Sequence, residues 1–490
     1  MRVLIFHGYL LRGTGSNVYN AELAQALARL GHEVHLLCQD RDADLGDGVT
    51  ITSPDIGDVL PVYVSDHYDG FEAKTFLECT DAEIERYVAA NVAAVRAVAA
   101  ELRPDVALAN HAVMGPAILA RSLDGRVPYA VKIHGSALEY VVKRDPERFG
   151  PYAREGLAGA GGVLVGSLHT AESLWAALPG LDLPARTRLG PPGVDVELFA
   201  PRELDVAAGN LDRLAQRLKS MPHAAEAGSF ARDEAAAGRA LATLRPALDR
   251  LVVFVGKLIV SKGVDLLAAA WPLVHAAEPD ARLVIVGFGA YREGFEALLA
   301  ALDRGDLDAV RALAEQGRAA EGGPRGPLSM LLEFLDAAPE GYAEAARRAA
   351  GSVTVVGRLD HDELASLLPL CDAQVVPSTF PEAFGMVAAE AAACGVLPVV
   401  AAHSGLAEVA GALAAEVPPE VAPMLSFEVG PGAVEELAGA LRAWLAAPEE
   451  VRAQARQAIV RVTREKWSWD GVARSVVSAA EGRLDELPLP

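Results

Sequence analysis

The chain has 490 residues, 51% of them hydrophobic and 22% charged, so it has enough apolar side chain to bury large cores and too much to stay disordered. Domains of roughly 100 to 200 residues make two sizeable domains the expected count. With 44 basic against 66 acidic residues the formal net charge is -22, the wrong sign for wrapping a nucleic-acid backbone or lying on an anionic membrane.

Cys38, Cys79, Cys371 and Cys394 stand far apart without a C-x-x-C pair, so neither a zinc site nor a disulfide framework is expected. The opening MRVLIFHGYLL is too short an apolar run for a signal peptide, and no apolar run of about 20 residues follows. A soluble, cytoplasmic protein with no transmembrane segment is the expectation.

In chain order, RVLIF reads as a buried strand, HGYLLRGTGS as a loop, NVYNAELAQALARLG as a helix ending on a glycine cap, and EVHLLC as the next strand. Further strands are expected at 105–109 (DVALA), 129–133 (YAVKI) and 162–166 (GVLVG), with helical stretches between them. Strands alternating with helices predict a parallel, doubly wound α/β sheet. After PPGVDVELFAPR (191–202) the pattern restarts with LVVFVG, RLVIVG, VTVVG, AQVVPS and PVVAA, predicting a second α/β domain of the same class. Both sheets would present ligand groups at the carboxyl ends of their strands, facing each other across a cleft. The expected division is 1–195, 196–468 and a C-terminal helix at 469–490 that returns to the first domain. Residues 203–250 and about 298–348 read as helical insertions; surface helices are one reading, a lid or a homodimer contact the other.

Four loops after apolar strands carry groups suited to an anionic, hydroxyl-bearing ligand. Gly13 and Gly15 precede a helix whose first N–H groups can hold a phosphate, or they form an ordinary turn. Lys257 and Lys262, in VFVGKLIVSKGVD, could neutralise a diphosphate and the charge that develops as it leaves; otherwise they are solvated lysines. Gly287 and Gly289 form a turn lining a base pocket or a plain turn, and Arg292 where a third glycine would stand disfavours a dinucleotide site. In STFPEAFGMVAAEAAACG, Glu382 falls in the loop and Glu390 about one turn into the helix. Carboxylates accept paired sugar hydroxyls but repel a phosphate placed against them, so a ligand with both groups needs the carboxylates and lysines apart. His134, in VKIHG, ends a strand, as a structural residue or a substrate contact.

Taken together, these residues resemble the family 4 retaining glycosyltransferases, which have the GT-B fold of two Rossmann-like domains. LARLGHEV, KIHG, PPGVDVELFAP, FVGKLIVSKGVD, LVIVGFG, VVPSTFPEAFGMVAAEAAACGVLPVV and SGLAEV carry the resemblance; the two insertions lie outside it. It implies transfer of a hexose from a nucleotide-diphosphate sugar by same-face displacement, with UDP-glucose the first donor and GDP-mannose or ADP-glucose behind it. It assigns Glu390 to the ribose hydroxyls, Glu382 to the transferred sugar, Lys257 and Lys262 to the diphosphate, and His134 to the sugar's 6-position. The loop of Gly13 and Gly15 would lie near the phosphates, Arg358 near the base through its backbone, and Ala383, Phe384, Gly385, Met386 and Val387 along the donor. His134, Lys262 and Glu382 would be the catalytic set. No metal and no bound cofactor are expected, since the lysines would take the metal's part.

Departures from the family pattern are Gly15-Ser16 where paired glycines are usual, lysine instead of arginine at Lys257, one extra residue in CGVLPVV, and Ser404-Gly405 for a glycine pair. GSNVYN is similar to members acting on sucrose-type or inositol-phosphate acceptors, which would place Asn17 and Lys74 toward a sugar or sugar-phosphate acceptor. A GT-B epimerase, a phosphorylase and a non-catalytic partner subunit are the competing readings.

Overall fold

The computed structural model describes residues 1–11, 15–63, 71–221 and 232–490. The chain forms two compact units, Met1–Gly193 together with Trp467–Pro490, and Val194–Lys466.

The strands of the first unit are β1 (Arg2–Phe6), β2 (Glu33–Leu37), β3 (Val49–Thr52), β4 (Val59–Val62), β5 (Glu72–Thr75), β6 (Val106–Asn110), β7 (Tyr129–Lys132), β8 (Gly162–Val165) and β9 (Thr187–Leu189). Seven of them make one parallel sheet in the order β3-β2-β1-β6-β7-β8-β9, while β4 and β5 pair separately. Side chains alternate across β1: Leu4 and Phe6 enter one core, and Val3 and Ile5 enter the other. A strand buried on both faces needs the continuous apolar run seen in RVLIF.

The core around Val3 and Ile5 is completed from far along the chain. Helix Gly15–Arg29 supplies Leu23 and Leu27, and helix Trp469–Ala480 supplies Trp469, Val472 and Val476. A Cβ on Gly193 would stand 2.4 Å from the indole of Trp469, so glycine is required where these two segments meet. The opposite face is covered by helix Asp81–Leu102, which starts at a capping box formed by Thr80 and Glu83.

The second unit holds β10 (Arg250–Lys257), β11 (Ala281–Phe288), β12 (Val353–Gly357), β13 (Ala373–Val376), β14 (Leu397–Ala401) and β15 (Ser426–Phe427), all parallel, in the order β12-β11-β10-β13-β14-β15. The order steps outward from one central strand and then reverses, which is the doubly wound arrangement. The first insertion folds as helices Leu204–Ser220 and Glu234–Leu241. They touch closely at Gly238, where a Cβ would meet the Ala215 carbonyl at 2.6 Å. Arg217 and Arg232 tie it to Glu363, a buried carboxylate on helix His361–Leu367, at 3.0 and 2.7 Å. The second insertion contains helices Leu307–Gln316, Ser329–Asp336 and Tyr342–Arg348; the helix that leads into it runs Arg292–Asp303.

All four cysteines are buried free thiols. Among the described residues no helix is long and apolar enough to cross a membrane.

Candidate active site

The carboxyl ends of β12, β11, β10, β13 and β14 stand side by side in the second sheet, and with strands about 4.8 Å apart they span roughly 20 Å. Lys257 ends β10, Phe288 ends β11, Arg358 follows β12, Ser378–Gly385 follow β13, and His403 and Ser404 follow β14. The residues singled out in the second half of the sequence therefore share one edge of one sheet.

Lys262 and Glu382 form an ion pair there, with 30% and 26% of their side chains exposed. Two loops have to meet for this contact. After β10 the chain makes a 3-10 turn, Val260–Lys262, closed by Gly263 in the left-handed region at φ 66°. A Cβ on Gly263 would lie 1.9 Å from the Pro377 carbonyl oxygen, so the loop after β13 can pass only over a glycine. Thr379 N–H then donates to the Ser261 carbonyl at 2.9 Å and locks the two loops together. Glu382 is held by its backbone: its N–H donates to Ser404 Oγ at 2.9 Å, and its carbonyl accepts from Gly405 N–H at 2.9 Å. Gly405 is a second enforced glycine, since a Cβ would stand 2.6 Å from Phe384 Cα. The Ser404-Gly405 pair is thus the support under the Glu382 loop.

Glu390 is 4% exposed, in helix Met386–Ala393. One carboxylate oxygen meets His361 Nε2 at 2.8 Å, and the His361 ring packs edge-on against Phe199 with centroids 4.8 Å apart. His361 was not singled out in the sequence, and its only local signal is its place at the start of a helix capped by Asp360 and Glu363. Arg358 lies with its guanidinium 5.7 Å from the centre of the Phe288 ring and donates to Asp360 at 2.9 Å. Ala383, Phe384, Met386 and Val387 are partly exposed along this loop and helix start, and Gly385 is buried.

Gly287 lies inside β11 and not in a turn. A Cβ there would be 2.3 Å from the Gly256 carbonyl, so its glycine serves the approach of β10 and β11. The turn begins at Gly289, where a Cβ would meet the Leu258 carbonyl at 2.4 Å.

In the first unit His134 follows β7 and belongs to a chain of polar side chains. His134 Nε2 meets Asn110 Oδ1 at 2.8 Å, Asn110 donates to Asn20 Oδ1 at 2.7 Å, and Asn20 donates to His7 Nδ1 at 3.1 Å. His7 Nε2 in turn meets Asn17 Oδ1 at 2.9 Å. These partners assign the Nε2–H tautomer to both imidazoles. Burial pushes the His7 pKa down to about 4, and burial, with the neighbouring His111 next, pushes His134 well below the ordinary range. Both rings are neutral hydrogen-bonding groups at neutral pH. His111, at φ 70°, packs with its ring tilted 50° against His134, centroids 4.8 Å apart, and neither of its ring nitrogens makes a hydrogen bond.

Asn17 is thus buried within this chain, and Lys74 pairs with Glu83 at 2.8 Å and Glu72 at 3.3 Å. Gly15 begins helix Gly15–Arg29; Gly13 lies outside the described residues. Among the described residues no three His, Cys, Asp or Glu side chains come together as metal ligands would.

Residues 13–198 match the model of Glycosyltransferase Family 4, and residues 249–317 and 343–461 match two models of Glycosyl transferases group 1. The chain is 30% identical over 271 residues to a D-inositol 3-phosphate glycosyltransferase of Segniliparus rotundus, covering 54% of this chain and 48% of that protein. It is 31% identical over 238 residues to a glycogen synthase of Mycobacterium tuberculosis, covering 47% and 50%. The chain thus spans about half the length of the curated relatives it matches. Among solved structures, a sucrose-phosphate synthase of Thermosynechococcus elongatus superposes with a TM-score of 0.57 at 18% identity, over 99% of both chains. With the family 4 model on its first unit and the group 1 models on its second, the chain belongs to the family 4 type of glycosyltransferases with the GT-B fold.

Proposed function

We propose that the chain is a retaining glycosyltransferase that moves a hexose from a nucleotide-diphosphate sugar to a hydroxyl acceptor. UDP-glucose is the first donor to consider, then GDP-mannose and ADP-glucose. The observation that carries this reading is the Lys262–Glu382 pair: the sequence expectation kept lysines and carboxylates apart, whereas these two meet at one strand edge, where an entering ligand would part them and take each separately. A nucleotide sugar offers a partner for each: diphosphate oxygens for Lys262, with Lys257 at the end of β10, and sugar hydroxyls for Glu382.

In the proposed reaction the bond from the anomeric carbon to the phosphate oxygen breaks, and the acceptor oxygen bonds to that carbon on the same face. The acceptor's proton passes to the departing phosphate oxygen, so no strong protein base is needed. Lys262 and Lys257 stabilise the negative charge that grows on the leaving diphosphate, an effect worth more at a preorganised site than in water. Glu390, oriented by His361, accepts from the two ribose hydroxyls. Arg358 and the Phe288 ring border the base, and the start of helix Met386–Ala393 turns its free N–H groups toward the phosphates. His134, kept neutral, hydrogen-bonds the sugar's 6-hydroxyl. Gly15, the first residue of helix Gly15–Arg29, lies near the phosphates. Asn17 and Lys74 remain the acceptor-side residues; Lys74 would have to exchange Glu72 for the acceptor. The name of the Segniliparus relative makes a phosphorylated polyol the first acceptor to try.

A thermal-shift panel of UDP, GDP and ADP sugars, followed by a donor-hydrolysis assay, tests the proposal. One donor should raise the melting temperature and be slowly hydrolysed. Binding without turnover in the presence of a broad acceptor panel would favour a non-catalytic subunit, and no binding at all would refute the donor site.

A further inference from the structure

The second unit has a cavity of about 920 Å³ at the end of its sheet opposite the Lys262–Glu382 pair, a volume suited to a small organic ligand. Arg250 lines it at the start of β10, and Lys257 ends the same strand; at about 3.3 Å per residue the two lie roughly 23 Å apart. Asp372, just before β13, and Cys394, just after helix Met386–Ala393, also line it. The elements that carry Glu382 and Glu390 at one end therefore build this wall at the other.

Six arginines and five carboxylates line the cavity, a local balance of +1 (six minus five) in a chain of net charge -22. Three guanidiniums share one carboxylate: Arg250 Nε and Arg456 Nη2 approach Asp372 Oδ1 to 3.3 Å each, and Arg452 Nη1 to 3.8 Å. Glu449 meets Arg452 at 2.5 Å and Arg456 at 3.6 Å. Each guanidinium has five N–H donors, more than two carboxylates can satisfy for three of them. Nε and Nη1 of Arg452, a residue 8% exposed, and Nε of Arg250 make no hydrogen bond. With six guanidiniums to five carboxylates the lining is short of acceptors, so the wall favours an anion that brings more. A phosphate monoester brings three oxygens and close to two charges, and guanidinium forks match it in pairs. Leu204 and Leu248, 53% and 66% exposed, line the same cavity and offer an apolar surface to the rest of such a molecule.

We propose that this cavity binds a small organic phosphate monoester, its phosphate taken by the cluster of Arg250, Arg452 and Arg456 and its organic body resting on Leu204 and Leu248. A nucleoside monophosphate and a sugar phosphate are the two sources of that chemistry.

Isothermal titration calorimetry of the full chain with AMP, a hexose 6-phosphate and inorganic phosphate tests this. One of the two organic phosphates should bind saturably, about tenfold or more tighter than inorganic phosphate, and the tighter one identifies the source. Arg456→Gln, at a side chain 35% exposed, should weaken binding by about tenfold or more through loss of a charge-assisted contact. Leu248→Asp, at an exposed position that cannot disturb the core, should weaken it by a similar factor, whereas Lys262→Ala should leave it unchanged. The proposal is overturned if neither organic phosphate binds, if inorganic phosphate binds as tightly, if Lys262→Ala abolishes binding, or if Arg456→Gln and Leu248→Asp bind like the parent.

Discussion

Replacing Lys262 with alanine removes one cation from the edge where β10 and β13 end. Its Nζ contacts Glu382, and with 30% and 26% of the two side chains exposed the pair is largely screened, so its loss should cost at most about 1 kcal/mol of stability. For a unit of this size that lowers the melting temperature by roughly 2 to 4 °C. The effect on transfer should be far larger. A positioned group that stabilises charge only as the leaving group departs contributes about 2.7 to 4 kcal/mol, so kcat should fall by roughly 100- to 1000-fold. Donor Kd should change much less than kcat, because the diphosphate carries more charge in the transition state than in the bound ground state. The assay is steady-state donor hydrolysis beside a thermal melt of the same preparation. A kcat within a few-fold of the parent, or an activity loss that merely follows a large drop in folded fraction, would refute the assigned role.

Glu390→Gln preserves the shape of a side chain only 4% exposed but gives up one acceptor, so nucleotide Kd should rise roughly 10- to 100-fold by calorimetry while the fold survives; an unchanged Kd would contradict the ribose contact. Gly263→Ala forces a Cβ onto the Pro377 carbonyl at φ 66° and should cost at least about 2 kcal/mol and loosen the Glu382 loop, read as a lower melting temperature together with weaker donor binding. Acid should open the first unit before the second. Between pH 6.5 and about 4 the unfolded chain protonates His7 while the folded chain does not, so this burial-driven shift removes roughly 3 kcal/mol as pH falls through that window. Asp265 in the second unit has the opposite sign: burial raises it to about 7, the folded state holds the extra proton between 3.8 and 7, and stability rises over the same descent. Hydrogen exchange at pH 6.5 and 4.5 should show β1 and helix Gly15–Arg29 losing protection relative to β10 and helix Val264–Ala277; the reverse order would refute this.

What could be read directly was whatever local pattern specifies. RVLIF, EVHLLC, LVVFVG and AQVVPS announce strands because a parallel sheet covered on both faces needs unbroken apolar runs. Strands that lack that burial were missed. β3 is the short VTIT, whose alternation offers only Val49 and Ile51 and which stays partly or fully exposed throughout, and β5 is EAKT. The loops carrying Lys262, Glu382 and Glu390 were legible because charged residues directly after buried strands stand out against apolar surroundings. Contacts between distant residues were not. His361 reaches Glu390 from 29 positions away, and the His7–Asn20–Asn110–His134 chain joins residues over a hundred positions apart. Gly287 illustrates the opposite case: its glycine-rich sequence suggested a turn, whereas it lies inside β11, where the close approach of β10 requires a glycine.

Retention of configuration in a nucleotide-sugar reaction can be measured before the acceptor is known. UDP-glucose, GDP-mannose and ADP-glucose are α-linked, so proton NMR of the hexose released by slow hydrolysis of the donor chosen in the thermal-shift panel reports the stereochemistry directly. The α-anomer should appear first and equilibrate with the β-anomer only by mutarotation. First appearance of the β-anomer, or no release from any of the three donors, would contradict the same-face displacement built around Lys262 and Glu382.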